Sequence, residues 1–266
     1  MSLDVETREQ LVEGELRIAR LAFTGANGAR VPAVLLAPAR RDREGPGIIL
    51  QHGANTSKDD YYIQAPGRRW AKQGWTVLAI DLAEHGERAE TTPTDPQVRR
   101  RLITQPAFVN QSLGDLTAAV DLLRGIEGVD AARLGYVGFS MGGMLGTIFT
   151  AVEPRMRAAA IVIAGSFAAS RYWERGADDE ERARRRAAAE ATDPVFFAGR
   201  IAPRPFLMVN TLDDPIFPRP AVETLFEAAG QPKELVWHPG THHSWGAGLY
   251  KSVLTFLQQT LMAAIT

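Results

Sequence analysis

Five short apolar runs punctuate the chain: GIILQ at 47–51, WTVLAID at 75–81, LGYVGF at 134–139, AAAIVIAG at 158–165 and PFLMVN at 205–210. Each reads as a buried strand, and a sixth, ELVWH at 234–238, follows. Segments of helical spacing separate them. Residues 66–73 form one. From Ser112, the residues Leu113, Leu116, Val120 and Leu123 recur at helical intervals, with Ser112 and Asp115 at capping-box spacing and Gly125 available as a stop. A third runs from the small-residue turn after Phe139 to about Val152, and a fourth over Ala221–Ala229. Leu249, Val253, Phe256, Leu257 and Leu261 mark the last. Strands alternating with helices imply an α/β architecture, a mostly parallel sheet with helices on both faces.

Two further runs, LRIARLAF (16–23) and RVPAVLLA (30–37), flank the turn signal Gly25-Ala26-Asn27-Gly28. They predict an antiparallel hairpin at the edge of that sheet. Residues 83–111 are polar and contain proline, a long connection expected to hold a short helix. Residues 167–191 begin aromatic, turn charged and alanine-rich, and read as a small helical cap inserted into the sheet pattern. No flexible linker divides the pattern, so residues 1–266 are expected to form one domain.

Composition narrows the chemistry. The chain has no cysteine, which excludes disulfides, thiolate metal sites and a cysteine nucleophile. Its 30 basic residues nearly balance 31 acidic ones, so nothing electrostatic favours nucleic acid or an anionic membrane as partner. The triplets Arg99-Arg100-Arg101 and Arg184-Arg185-Arg186 read as solvated helix faces. No apolar run reaches the length of a membrane span, and the polar start M-S-L-D-V-E-T-R-E lacks the apolar core of a signal peptide. A soluble cytoplasmic protein is expected; its oligomeric state is left open.

The most specific motif is G-F-S-M-G-G, Gly138 to Gly143. It follows a predicted strand directly and opens a predicted helix, the context of a nucleophile elbow. A serine there must occupy a turn so sharp that Gly138 and Gly142 are needed where side chains would collide. Ser140 also stands at a helix N-terminus, where the backbone dipole favours developing negative charge.

With these residues on view, the chain resembles the α/β-hydrolase superfamily, and within it the dienelactone-hydrolase and acetyl-esterase-like serine hydrolases. The likeness runs through the hairpin, the Q-H-G after the third predicted strand, D-L-A-E-H-G-E-R, G-F-S-M-G-G and the turns after the last two strands. It implies a Ser-His-Asp triad that cleaves small-molecule carboxylic esters through an acyl-enzyme, with no metal and no cofactor. Ser140 is then the nucleophile. The oxyanion-hole amides are those of Met141 and Ala54, and His52 orders the loop that carries Ala54.

In L-D-D-P-I-F-P the family spacing, counted back from Pro218, selects Asp214 as the acid, with Asp213 the alternative. In P-G-T-H-H the family count lands on His243 as the base, with His242 as the alternative beside it. A metal pair at these histidines has no support, since adjacent loop side chains point apart and no carboxylate or further histidine lies at ligand spacing. His238 packs at a strand end. Tyr61, Tyr62, Phe217 and Trp245, with Tyr172 and Trp173 of the cap, either line a substrate pocket or pack the cap onto the body. Peptidase, amidase and thioesterase activities use the same triad, and a non-catalytic binding protein on this fold is the reading of another class.

Overall fold

A computed structural model describes residues 4–89, 102–171, 174 and 178–262. The triplet Arg99–Arg101 and the aromatics Tyr172 and Trp173 lie outside the described residues. One nine-stranded sheet runs through the molecule. Its strands are β1 (Val5–Glu13), β2 (Leu16–Thr24), β3 (Arg30–Pro38), β4 (Gly45–Gln51), β5 (Thr76–Ile80), β6 (Val129–Phe139), β7 (Met156–Val162), β8 (Phe206–Thr211) and β9 (Lys233–His238). Their order is β1-β2-β3-β5-β4-β6-β7-β8-β9. The β1–β2, β2–β3 and β3–β5 pairs are antiparallel, and every pair from β5–β4 to β8–β9 is parallel.

The parallel strands are short and apolar because both faces are covered. Six helices do most of the covering or connecting: α1 (Tyr61–Ala71), α2 (Pro106–Arg124), α3 (Met141–Val152), α4 (Asp179–Thr192), α5 (Arg219–Ala228) and α6 (Ala247–Leu257). On one face Leu116 and Val120 of α2, Ile148 of α3 and Leu225 of α5 join Ile49, Leu78 and Tyr136 in one buried cluster. On the other, Ile63 and Trp70 of α1 and Val253 and Leu257 of α6 pack with Leu50, Val77 and Val137. Each such aliphatic side chain removed from water contributes about 1.5–3 kcal/mol.

The hairpin at 16–37 forms β2 and β3, but it is not the edge of the sheet. The edge is β1, which the sequence pattern does not announce because nearly all of it is exposed and carries charges. Charged side chains on an edge strand discourage further strand pairing. The second helix also begins earlier than its periodicity suggests. It starts at Pro106, which suits a first helical position because its missing N–H has no partner to lose. Ser112 and Asp115 are therefore interior, not a cap. Asp115 is buried, accepts the Ala26 N–H at 2.9 Å and pairs with Arg88 at 2.8 Å, tying helix, hairpin and the loop after β5 together.

Helix α4 lies between β7 and β8 and is mostly solvated, with only Ala189 and Thr192 buried. Asp178 caps it by accepting the Glu181 N–H at 2.8 Å. Arg185 and Arg186 pair with Glu181 and Glu190 one turn away, as expected of a solvated charged face.

Candidate active site

The parallel strands all end at one edge of the sheet, and the loops that leave them build the site. After β6 the chain turns at Ser140 into α3. Ser140 has φ 53° and ψ −115°, a left-side conformation that costs a non-glycine residue about 1–3 kcal/mol. The turn is possible only because its flanks are glycines. A Cβ on Gly138 would lie 2.2 Å from the Gly142 carbonyl oxygen, and one on Gly142 would lie 2.4 Å from the His52 carbonyl oxygen. Met141 is the first residue of α3, where backbone N–H groups have no intrahelical acceptor.

The loop after β8 carries Asp213 and Asp214. Asp214 is buried, and its Oδ1 accepts the backbone N–H groups of Ile216 at 2.8 Å and Phe217 at 3.0 Å. Its Oδ2 lies 2.7 Å from His242 Nδ1. Burial raises the carboxyl's affinity for a proton, but the His242 hydrogen bond and the two backbone donors outweigh it and hold Asp214 below the ordinary carboxylate range. Asp213 is exposed; its N–H donates to the Gly240 carbonyl at 3.0 Å, joining this loop to the next.

The loop after β9 corrects the sequence register. His242, not His243, connects the other two residues. Its Nε2 stands 3.0 Å from Ser140 Oγ. A carboxylate can only accept, so Nδ1 carries the proton toward Asp214 and Nε2 is left to accept the Ser140 hydroxyl. The cause is a tight turn. Gly240 has φ 120°, and a Cβ there would lie 2.5 Å from Ser244 Oγ. Thr241 N–H donates to Ser244 Oγ at 2.9 Å, and Ser244 N–H returns to the Thr241 carbonyl at 3.0 Å. His242 and His243 are the two central residues of that turn, so their side chains diverge. His242 is buried and His243 exposed, with the two rings edge-on at 5.3 Å. The family count assumes one more residue before the inward position than this turn supplies.

The loop after β4 faces Ser140 from the other side. His52 is fully buried; its Nε2 accepts the Leu82 N–H at 3.1 Å, so Nδ1 donates to the Gly53 carbonyl at 2.7 Å. Tyr62, which no sequence motif distinguishes, accepts the Gly53 N–H at 2.8 Å through its hydroxyl and stacks on Trp245 with centroids 4.4 Å apart. Lys58 closes the loop. Its backbone N–H and its Nζ donate to the two carboxylate oxygens of Asp81, each at 2.9 Å, and Nζ also reaches Glu87 at 2.7 Å. Burial disfavours the Lys58 charge, but Asp81 and Glu87 raise its pKa above the ordinary value. Within the stretch 84–88, Arg88 donates to the Asp81 carbonyl at 3.1 Å as well as to Asp115.

Ser140, Met141, Ala54, His242 and His243 line one cavity of about 320 Å³. Its remaining walls are largely apolar: Ile103, Met144, Phe167, Ile216 and Phe217. Of the aromatics flagged in the sequence, Phe217 therefore belongs here. Tyr61 and Trp245 instead line a separate groove of about 390 Å³ between α1 and α6, and Tyr62 is a buried prop of the loop after β4. His238 packs at the end of β9, 3.0 Å from Ser252 Oγ. Among the described residues no group of three or more His, Asp or Glu side chains converges as metal ligands, and no helix is long and apolar enough to cross a membrane.

Set beside known proteins, residues 31–251 match the model of the dienelactone hydrolase family. A protein of Bradyrhizobium sp. named "Probable 2-oxo-3-(5-oxofuran-2-ylidene)propanoate lactonase" is 29% identical over 184 residues, covering 69% of this chain and 64% of that one. The chain spans 33–64% of the length of the curated relatives it matches. Acetyl xylan esterase 1 from Thermoanaerobacterium sp. JW/SL YS485 superposes with a TM-score of 0.81 at 20% identity, covering 98% of this chain and 89% of that one. The acetyl xylan esterase of Paenibacillus sp. R4 gives 0.78 at 21% identity, with 97% and 89% covered. At these identities the structures establish the likeness of fold.

Proposed function

Given that the chain belongs to the dienelactone hydrolase family, we propose that it hydrolyses carboxylic esters of small molecules, with Ser140 as nucleophile, His242 as general base and Asp214 as its partner. The observation that carries this reading is the continuous hydrogen-bond chain from Ser140 Oγ through the His242 ring to Asp214, at a strained strand-to-helix turn. The names of the relatives span acetyl esters and a lactone, and a lactone is an internal ester, so one acyl-transfer chemistry serves both.

In the first half-reaction His242 Nε2 takes the Ser140 proton as Oγ attacks the ester carbonyl. Asp214 holds the Nδ1–H tautomer and stabilises the imidazolium that forms. The tetrahedral oxyanion is received by the backbone N–H groups of Met141 and Ala54, and each such donor is worth about 2.7–4 kcal/mol to the transition state. His242 then returns the proton to the departing alkoxide, leaving an acyl-serine. In the second half-reaction the same nitrogen deprotonates water, which attacks the acyl carbonyl, and Ser140 is released protonated. Side chains and backbone amides of this chain supply every group these steps need. The described parts of the insertion, residues 167–171 and α4, would then act as a small cap on a single domain.

The test is a series of 4-nitrophenyl acyl esters of rising chain length, run on the wild-type protein and Ser140→Ala. Turnover is expected in the first and a loss of about 10⁴-fold or more in the second. Equal turnover in both would refute the mechanism.

A further inference from the structure

One buried carboxylate takes no part in the Ser140–His242–Asp214 chain, yet sits where the insertion leaves and rejoins the sheet. Asp193 follows α4 directly and is 3% exposed. Its Oδ1 accepts the Ser166 hydroxyl at 2.6 Å and the Val195 N–H at 3.1 Å. Its Oδ2 accepts the Ala168 N–H at 2.8 Å, a donor shared with Ser166 Oγ at 3.1 Å. Ser166 precedes the insertion and Asp193 ends it, so this contact draws both ends of some 25 residues together.

What the clamp fixes is a wall of the cavity. Phe167 lines the space beside Ser140 and stacks on Phe217, with centroids 5.1 Å apart and planes 21° from parallel. Phe217 is itself immobilised. Its N–H is bound to Asp214, and its ring lies 5.9 Å from that of His242. The backbone behind it is held by the Ser166 N–H, which donates to the Ala221 carbonyl at 3.0 Å. Phe167 thus stands between the Phe217 ring and a backbone that Asp193 holds through the next amide, that of Ala168, and through the Ser166 hydroxyl.

We propose that Asp193 is a positioning residue that sets acyl-chain specificity, fastening the neck of the insertion so that Phe167 closes the Ser140 cavity against long acyl groups. This rests on the ester-hydrolase reading above. The step it controls is binding; no reacting atom changes place.

The test compares wild type, Ser166→Ala, Asp193→Asn and Phe167→Ala. Two quantities are read: the ratio of kcat/KM for 4-nitrophenyl octanoate to that for the acetate, and hydrogen exchange at the Ala168 amide. Phe167→Ala removes the wall directly, and Asp193→Asn places an amide among groups that need an acceptor. Both are expected to raise the octanoate-to-acetate ratio roughly tenfold, the scale on which apolar pockets discriminate chain length. The kcat on acetate should stay within about threefold of wild type in Asp193→Asn, because Asp193 does not line the cavity and the reacting groups are unmoved. Ala168 exchange should quicken in Asp193→Asn and, more weakly, in Ser166→Ala, but not in Phe167→Ala.

A ratio that moves in Phe167→Ala but not in Asp193→Asn would overturn the proposal, as would lowered thermal stability with an unchanged ratio. If Asp193→Asn does not fold, Ser166→Ala decides, and unchanged exchange and ratio there overturn it. Absence of turnover by wild type on every ester would refute the ester-hydrolase reading instead. The clamp would then stand or fall on Ala168 exchange alone.

Discussion

Two loops at the same edge of the sheet each hold a buried histidine, and the two rings do different work. In the loop after β4, His52 donates from Nδ1 to a backbone carbonyl and accepts a backbone N–H on Nε2. In the loop after β9, His242 donates from Nδ1 to a carboxylate and presents Nε2 to a serine hydroxyl. Burial and tautomer are the same. The difference lies in what each nitrogen meets. A backbone amide cannot give up its proton at neutral pH, so His52 is a fixed brace. A serine hydroxyl can transfer its proton when a carboxylate stabilises the resulting imidazolium, so His242 can act as a base.

The comparison is broken most severely by exchanging what each ring does. His242→Ala should lower kcat on 4-nitrophenyl acetate by about 10⁴-fold or more with the fold retained. Steady-state kinetics alongside circular dichroism would show it, and retained turnover would put His242 on the same footing as His52. Asp214→Asn should cost about 10⁴-fold, because the amide favours the wrong tautomer. Denaturant midpoints measured for His52→Ala should tell the opposite story. That change strands the Leu82 N–H, at a cost of about 1–3 kcal/mol, while the Gly53 carbonyl keeps the Thr56 hydroxyl and turnover falls far less than in His242→Ala. A large rate loss at unchanged stability would mean that His52 is not a brace.

The smallest effect concerns acid. Asp214 is held below its ordinary value of 3.8 in the folded protein. A depressed carboxylate stabilises the fold fully above the unfolded pKa and loses that contribution as pH falls through the folded one. The stability gap between wild type and Asp214→Asn should therefore be widest above about pH 4 and narrow below it. A gap that widens on acidification, followed by urea unfolding, would contradict the assigned hydrogen bonds.

The same contrast explains what was legible in the sequence. Ser140 stood out because the elbow is local: a strand, two obligatory glycines and a helix start lie within six residues. The position of Asp214, the carboxylate that meets His242, could be counted because it sits just past a short strand. The histidine register could not be counted. It depends on how tightly Gly240 turns and on Ser244 closing back on Thr241, neither of which a spacing rule contains. The edge strand β1 escaped because, exposed almost throughout, it has no buried face to impose alternation. The early start of α2 was hidden by the polar, proline-containing stretch before it. Tyr62 was marked in the sequence only as an aromatic of a pocket or cap, and Asp193 not at all, since their contacts come from partners brought near by the fold, Gly53 and Trp245 for one and Ser166 for the other.

The central claim is that His242, and not its neighbour, activates Ser140. Its most direct measurement is the rate of covalent labelling of Ser140 by a fluorescent fluorophosphonate, which needs an activated serine but no knowledge of the natural ester. The account predicts that His242→Ala slows labelling by about 10³-fold or more, whereas His243→Ala, a change at an exposed side chain, stays within about twofold of wild type. Comparable losses in both, or a greater loss in His243→Ala, would contradict it.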